Sequence, residues 1–316
     1  MEVIKDDCNY AGLIRKRKAH YEALFSASII TVDQELIDTY PDITILVSKP
    51  VVSAEFLAHF PNLKLIFTVS AGVNKMPFAY LEAHHIILAN SRGLHAEHMS
   101  EHALAMMLVY TRQLTLAIKN QEQHHWSHAS GVFSSIQGKS LCIVGAGSIG
   151  DALARKATAL GMRVTGVSRS GKANTGYDKI YQTGELTTAV ATADIVVLLV
   201  PLTPETHHLF NASVFSAMKK HSMFINISRG GTVDEAALVT ALTDGTLAFC
   251  GLDVFSQEPL GEESVFWDMP NVLITPHTAG EIDDYFDRAM HIFEDVLTDF
   301  RAGTAVKNQV DLAQGY

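Results

Sequence analysis

The sequence predicts an α/β protein of two doubly wound parallel-sheet domains. Three observations predict it: two successive series of short, β-branched apolar runs separated by helical patterns, a long helical pattern between the series, and no proline or glycine within that divider. At 316 residues, 47% hydrophobic and 18% charged, the chain is long and apolar enough for two packed cores.

The first series runs from residue 28 to 90. Ile29–Val32, Ile43–Val47, Leu65–Val69 and Ile86–Ala89 read as strands, with helical segments Glu35–Tyr40 and Ala54–His59 between them. Ahead of it, the basic run Arg15–Lys18 sits among Ala11, Leu13, Ile14, Ala19 and Leu24, as on the solvated face of a first helix. The divider, from His98 to Lys119 with EHALAMMLVYTRQLTLAIK as its body, predicts one long helix. Gly131, Ser134, Ser135 and Gly138 end it. A second series begins at Ser140, with strands at Leu141–Val144, Arg163–Val167, Ile195–Val200, Met223–Ile227, Ala248–Asp253 and Val272–Thr275. Their unbroken apolarity fits strands covered on both faces. The last helical pattern, Ile282–Arg301, is expected to return to the first domain. No repeat of fixed short period and no low-complexity tract occurs.

A net charge of −10 argues against a nucleic-acid partner, since phosphate neutralisation needs clustered Lys and Arg. Cys8, Cys142 and Cys250 have neither paired nor metal-ligand spacing, and the last two fall within apolar strands; a reducing, cytoplasmic setting is expected. The start MEVIKDD lacks the apolar core of a signal peptide, and no run reaches the ~18 apolar residues of a membrane span.

Leu141–Val144 leads into Gly145-Ala146-Gly147-Ser148-Ile149-Gly150, and a helical pattern follows to Leu160. Strand, G-x-G-x-x-G and helix in this order form a dinucleotide-binding fingerprint. Gly145 allows the tight turn, Gly147 lets the backbone approach a pyrophosphate, and Gly150 permits close helix–strand packing at a helix N-terminus that faces the phosphates. The next strand ends in Ser168-Arg169-Ser170, where NAD binders place an acid for the ribose hydroxyls. An arginine flanked by hydroxyls suits a 2′-phosphate, so NADP is expected over NAD.

Three further segments each put an ionisable residue just past an apolar strand: NISRGG with Arg229, LDVFSQEPL with Glu258, and NVLITPHTAG with His277. In an open parallel sheet that edge is the ligand crevice. Reduction of a 2-oxo acid requires a cation for its carboxylate and carbonyl, a proton donor for the developing alkoxide, and a group that holds the donor's orientation and charge. Arg229, His277 and Glu258 provide one of each.

With PNLKLIFTVSAGVNKM, SEHALAMML, GAGSIG and PLTPETHHLF, these segments resemble, in one order from about Pro50 to Gly280, the D-isomer-specific 2-hydroxyacid dehydrogenases. The resemblance implies that Arg229 binds the substrate's carboxylate and carbonyl oxygen, that His277 donates the proton, and that Glu258 hydrogen-bonds His277. It implies Asp253 near the nicotinamide, Pro201 in the cofactor site beside Ser148 and Ile149 of the fingerprint, and Ala71, Gly72 and Val73 offering backbone N–H groups to the substrate carboxylate. Asn74 departs from the family's usual Asp, and Arg169 from the acid of its NAD-preferring members.

Other signals carry less. His98-Met99-Ser100-Glu101-His102 spells H-x-x-E-H, but with no third ligand both histidines read as helix-surface residues and no metal is expected. The pairs His84-His85, His124-His125 and His207-His208 read as solvated. Gly138-Lys139-Ser140 precedes a strand and lacks the first glycine of a phosphate loop, Phe133 standing in its place.

The expected architecture is a Rossmann-type cofactor domain, residues 94–282, inserted in a flavodoxin-like substrate domain of residues 1–93 and 283–316, with the active site in the cleft between them. A homodimer is implied by the resemblance, the helix from His98 contributing. The function expected is reduction of glyoxylate, hydroxypyruvate or a similar 2-oxo acid by NADPH to a D-2-hydroxy acid. A dinucleotide-sensing regulatory protein, resembling the C-terminal-binding corepressors, is the alternative on the same fold.

Overall fold

The computed structural model describes residues 2–5, 29–32, 43–48, 51–127, 133–171 and 176–315, the first two stretches by backbone alone. The basic run Arg15–Lys18, the helix expected at Glu35–Tyr40 and Cys8 lie outside them. The chain divides into two compact units, Met1–Leu94 with Ile282–Tyr316, and His95–Glu281.

The first unit is built on five parallel strands: β1 (Glu2–Lys5), β2 (Ile29–Val32), β3 (Ile45–Ser48), β4 (Leu65–Thr68) and β5 (Ile87–Asn90), in the order β2-β1-β3-β4-β5. This is the flavodoxin-like order. Side chains alternate between the faces: Ile45, Val47, Leu65 and Phe67 pack on one, while Leu46, Ile66 and Leu88 pack on the other with Leu57 and Leu81. The first face is closed by the helix Tyr285–Ala302 from the far end of the chain. Its Phe286, Ala289, Met290, Phe293, Val296 and Leu297 recur at helical spacing and are buried, so the segment does return to the first unit as expected. Strand β1 escapes a reading of the sequence because it is only four residues long, two of them charged.

The second unit holds seven parallel strands: β6 (Ser140–Val144), β7 (Arg163–Ser168), β8 (Lys179–Gln182), β9 (Ile195–Leu198), β10 (Ser222–Asn226), β11 (Leu247–Leu252) and β12 (Val272–Ile274). Their order, β12-β11-β10-β9-β6-β7-β8, reverses between β6 and β9, which is the Rossmann arrangement with its switch point there. Burial on both faces follows the period of two: Cys142, Val196, Phe224 and Cys250 enter one cluster, and Leu141, Ile143, Ile195 and Ile225 the other. Both cysteines are free and buried, and burial pushes the Cys142 thiol up to about 12.

The single helix expected from His98 to Lys119 is two helices, Ala96–Thr111 and Leu114–Glu122. The first stops because Gln113 takes a left-handed φ of 55°, while its own side-chain amide donates to the Tyr110 carbonyl at 3.1 Å. That capping interaction satisfies a helix-end carbonyl, as glycine at this position often does through backbone bonds alone. The first helix lies directly on the sheet: a Cβ placed on Gly251 of β11 would stand 2.7 Å from Met106 Sδ. No helix among the described residues is long and apolar enough to cross a membrane.

Candidate active site

All seven strands of the second unit are parallel, so their following loops emerge along one carboxyl edge. Gly145–Gly150 follow β6, Arg169 and Ser170 follow β7, and Pro201 comes after β9. Arg229, Asp253 and His277 come after β10, β11 and β12. The glycine loop and Pro201 thus flank the switch point, with Arg169 to one side and the ionisable set to the other.

The glycine loop fits a dinucleotide. Gly145 has φ +114°, and a Cβ there would lie 2.8 Å from the Leu199 carbonyl carbon; one on Gly150 would lie 2.5 Å from the Gly145 oxygen. These two glycines serve the close packing of turn, helix and neighbouring strand. Gly147 is different: nothing lies within 4 Å of a Cβ built on it. It caps the N-terminus of the helix Ser148–Ala159, so the open space lies where a pyrophosphate would meet Ser148 and Ile149. Beyond β7, Ser168 Oγ accepts from Gly171 N at 3.1 Å, turning the chain so that Arg169 and Ser170 are exposed.

Arg229 stands on a loop braced from within. Buried Asn226 accepts at Oδ1 from Ser228 N and Oγ at 3.0 and 2.7 Å and donates from Nδ2 to the Arg229 carbonyl at 3.2 Å. Gly230 is obligatory, since a Cβ there would fall 1.9 Å from the Phe255 carbonyl carbon. The Arg229 side chain is half-buried and donates from Nη1 to the Ser228 carbonyl at 2.6 Å. Burial lowers its guanidinium from the ordinary value, with the Glu258 carboxylate opposing; arginine remains a cation under such a shift.

Glu258 uses both carboxylate oxygens: Oε1 accepts from Phe255 N at 3.0 Å, and Oε2 lies 2.7 Å from His277 Nδ1. The imidazole is therefore anchored at Nδ1, and its Nε2 is the ring nitrogen left to face a ligand. His277 has φ 56°, with its N–H directed to the Asp253 and Thr275 carbonyls at 2.9 and 3.0 Å. The Asp253 side chain is 1% exposed and accepts from Thr275 Oγ1, Thr278 N and Ala279 N, so it fastens the loop on both sides of His277.

Three histidines of this unit belong to the same neighbourhood, and the sequence reading either misplaced or overlooked them. His98 and His102 are half-buried rather than helix-surface residues. His98 Nε2 is 3.0 Å from the Gly280 carbonyl, and His102 Nε2 is 3.1 Å from Thr275 Oγ1. A helix facing a loop shows the same i, i+4 pattern as one facing water, so spacing gave no sign of it. His95 was not singled out at all. Burial, then the neighbouring His98 and Arg229, lower its imidazole to about 4. No group of three or more His, Cys, Asp or Glu able to hold a metal occurs among the described residues.

In the first unit, Ala71 and Gly72 are half-buried and Val73 is buried in the loop after β4. Asn90 Nδ2 donates to the Ala71 carbonyl at 2.9 Å, and Met76 N to the Val73 carbonyl at 2.9 Å.

Comparison with known proteins agrees on one family. The family model described as the NAD-binding domain of the D-isomer specific 2-hydroxyacid dehydrogenases matches residues 104–279. Glycerate dehydrogenase of Methylorubrum extorquens is 32% identical over 264 residues, 80% of each chain. Glyoxylate/hydroxypyruvate reductase B of Citrobacter koseri is 32% identical over 272 residues, 84% of each. Among solved structures, the NADPH-dependent glyoxylate/hydroxypyruvate reductase of Sinorhizobium meliloti, in complex with NADP and sulfate, is 30% identical at a TM-score of 0.84, covering 100% of this chain and 99% of that one. Each of these relatives carries an enzyme's name, and nothing favours the regulatory alternative.

Proposed function

Because the chain belongs to the D-isomer-specific 2-hydroxyacid dehydrogenase family of NAD(P)-dependent oxidoreductases, we propose that it reduces a small 2-oxo acid, of the glyoxylate or hydroxypyruvate kind, to the D-2-hydroxy acid with NADPH. The observation that carries the reading is the Glu258–His277 contact of 2.7 Å on the same sheet edge as the Arg229 cation. Arg229 pairs with the substrate's carboxylate and polarises its carbonyl oxygen through a planar two-donor fork. His277 donates a proton from Nε2 to the oxygen as charge develops there, and Glu258 holds the ring by Nδ1 and stabilises the imidazolium form from which it donates.

Gly145, Gly147, Ser148, Ile149 and Gly150 would hold the dinucleotide's pyrophosphate, with Ser168, Arg169 and Ser170 at its ribose end, and Pro201 and Asp253 toward the nicotinamide. When bound, the reduced nicotinamide supplies the hydride. Arg169, exposed past β7, favours the 2′-phosphate of NADPH, and a relative of this length is described as NADPH-dependent. The protein works as a homodimer, a reading supported by the exposed apolar side chains of Leu108, Leu114 and Ile118 on the two helices after His95, and in the cytoplasm, a reading supported by the free thiols of Cys142 and Cys250.

Initial-rate assays with a panel of 2-oxo acids and both cofactors test this. A charge-assisted pair contributes roughly 1.5–3 kcal/mol and tenfold discrimination needs about 1.4, so kcat/KM should favour NADPH about tenfold or more. Arg169→Asp should erase or reverse the preference. Equal use of NADH by the parent protein would remove Arg169 from the cofactor site, and no turnover of any 2-oxo acid would remove the substrate class.

A further inference from the structure

The segment carrying His277 is tied to the helix Ala96–Thr111 at both of its ends. Two histidines one turn apart on that helix reach its two ends: His102 at Thr275 and His98 at Gly280. The hydrogen-bond directions follow from what each atom can do. The Thr275 hydroxyl donates its only proton to Asp253 Oδ1, so its oxygen must accept from His102, whose Nε2 therefore carries a proton. The chain of donors runs from His102 to Thr275 to Asp253. The same carboxylate takes the N–H groups of Thr278 and Ala279, at 2.9 and 3.0 Å, immediately after His277.

Asp253 is a nearly fully buried carboxylate, and among the described residues the one basic side chain recorded within 4 Å of it is His102, its Nε2 3.9 Å from Oδ1. The helix's acidic residues Glu97 and Glu101 are engaged with Lys156, at 3.0 and 2.9 Å, rather than with this loop. The titratable and charged groups around the chain are thus His102 and His98 from the helix, His95 at the helix start with its ring 5.5 Å from that of His98, Arg229 whose charge reaches His95, Asp253 from the β11 edge, and Glu258 with His277 themselves.

We propose that His102 is a positioning residue for proton donation: through Thr275 and Asp253 it fixes the height and orientation of His277 above the sheet edge. The proposal rests on His277 being the proton donor. A displacement of about 1 Å at a reacting group can lower a rate by up to about 10²-fold, so the relay needs to move His277 very little to matter.

The test uses the full-length protein. His102→Ala should lower kcat by about 10- to 100-fold while leaving the dissociation constant for NADPH, read by fluorescence titration, within about twofold. The pH profile of kcat should shift with it, because His277 no longer holds the same relation to Glu258. His102→Gln, which keeps an amide N–H at similar reach, should recover most of the rate. Thr275→Val interrupts the same chain at its next link and serves if the alanine variant does not fold. The double variant should be no slower than the slower single one, as members of one chain are not additive. Parental kcat and pH profile in His102→Ala, or additive losses in the double variant, would overturn the proposal even if His277→Ala is inactive. Should His277→Ala itself keep the parental rate with chemistry limiting, the proton-donor reading falls and this proposal with it.

Discussion

Glu258 serves two partners at once, and that is why it orients rather than simply attracts. One oxygen is committed to the Phe255 N–H at 3.0 Å, so the other meets His277 in a fixed direction. An exposed carboxylate contributes little by charge alone, since such pairs are worth about 0–1 kcal/mol, but a carboxylate held by the backbone fixes which imidazole nitrogen is left to act. Removing the ring therefore removes the acid and leaves the cofactor cradle intact. His277→Ala is expected to reduce kcat for 2-oxo acid reduction by about 10² to 10⁴ with unchanged affinity for the dinucleotide. Single-turnover rates beside a cofactor titration separate the two quantities, and a variant that keeps its chemical step would dismiss His277 as the donor.

At the scale of elements, the helix Tyr285–Ala302 shows how a distant segment completes a core. Phe293 is 2% exposed and its ring centroid lies 5.2 Å from that of Phe67 on β4. Phe293→Ala should destabilise the first unit by about 3–5 kcal/mol through lost burial and the cavity left behind, seen as a lower denaturant midpoint for that unit. An unchanged midpoint would mean that the helix docks without contributing to stability. This helix was legible because its apolar residues recur at one period over five turns, and the central strands were legible because both faces are covered. Strand β8 was not: at the sheet's edge its four residues are half-exposed, and no run of apolar residues announces it. The break at Gln113 was hidden for a related reason, since a glutamine in a left-handed turn looks in sequence like any other helical glutamine. The site divides the same way. Arg229, Glu258 and His277 sit just past apolar strands, where position alone gives them meaning. His95, His98 and His102 gain theirs only from which way a helix faces.

The whole molecule should feel the burial of His95. Its imidazole is lowered from 6.5 to about 4, so between those values the unfolded chain takes up a proton that the folded one refuses. Stability therefore rises with pH through this window and is lost as pH falls from about 6.5 to about 4, by roughly 3 kcal/mol at about 1.4 kcal/mol per pH unit. Denaturant unfolding at pH 7 and pH 4.5 should show a smaller acid loss in His95→Gln than in the parent. Equal losses would show that other groups dominate the acid side.

The division of the chain also sets an order of events during synthesis. The sheet of the first unit is complete once Asn90 has been made, yet the helix that covers one of its faces begins at Tyr285. His95–Glu281, by contrast, contains every strand of its own sheet in one continuous stretch. At about 5–20 residues per second, the ribosome needs roughly ten to forty seconds to cross that stretch. For that time the Ile45, Val47, Leu65 and Phe67 face lacks the helix Tyr285–Ala302 that packs on it, while the later-made unit already has every strand of its sheet. The core of the first unit is therefore finished last, and the Ile45, Val47, Leu65 and Phe67 face gains its Tyr285–Ala302 packing partner only when synthesis is nearly over.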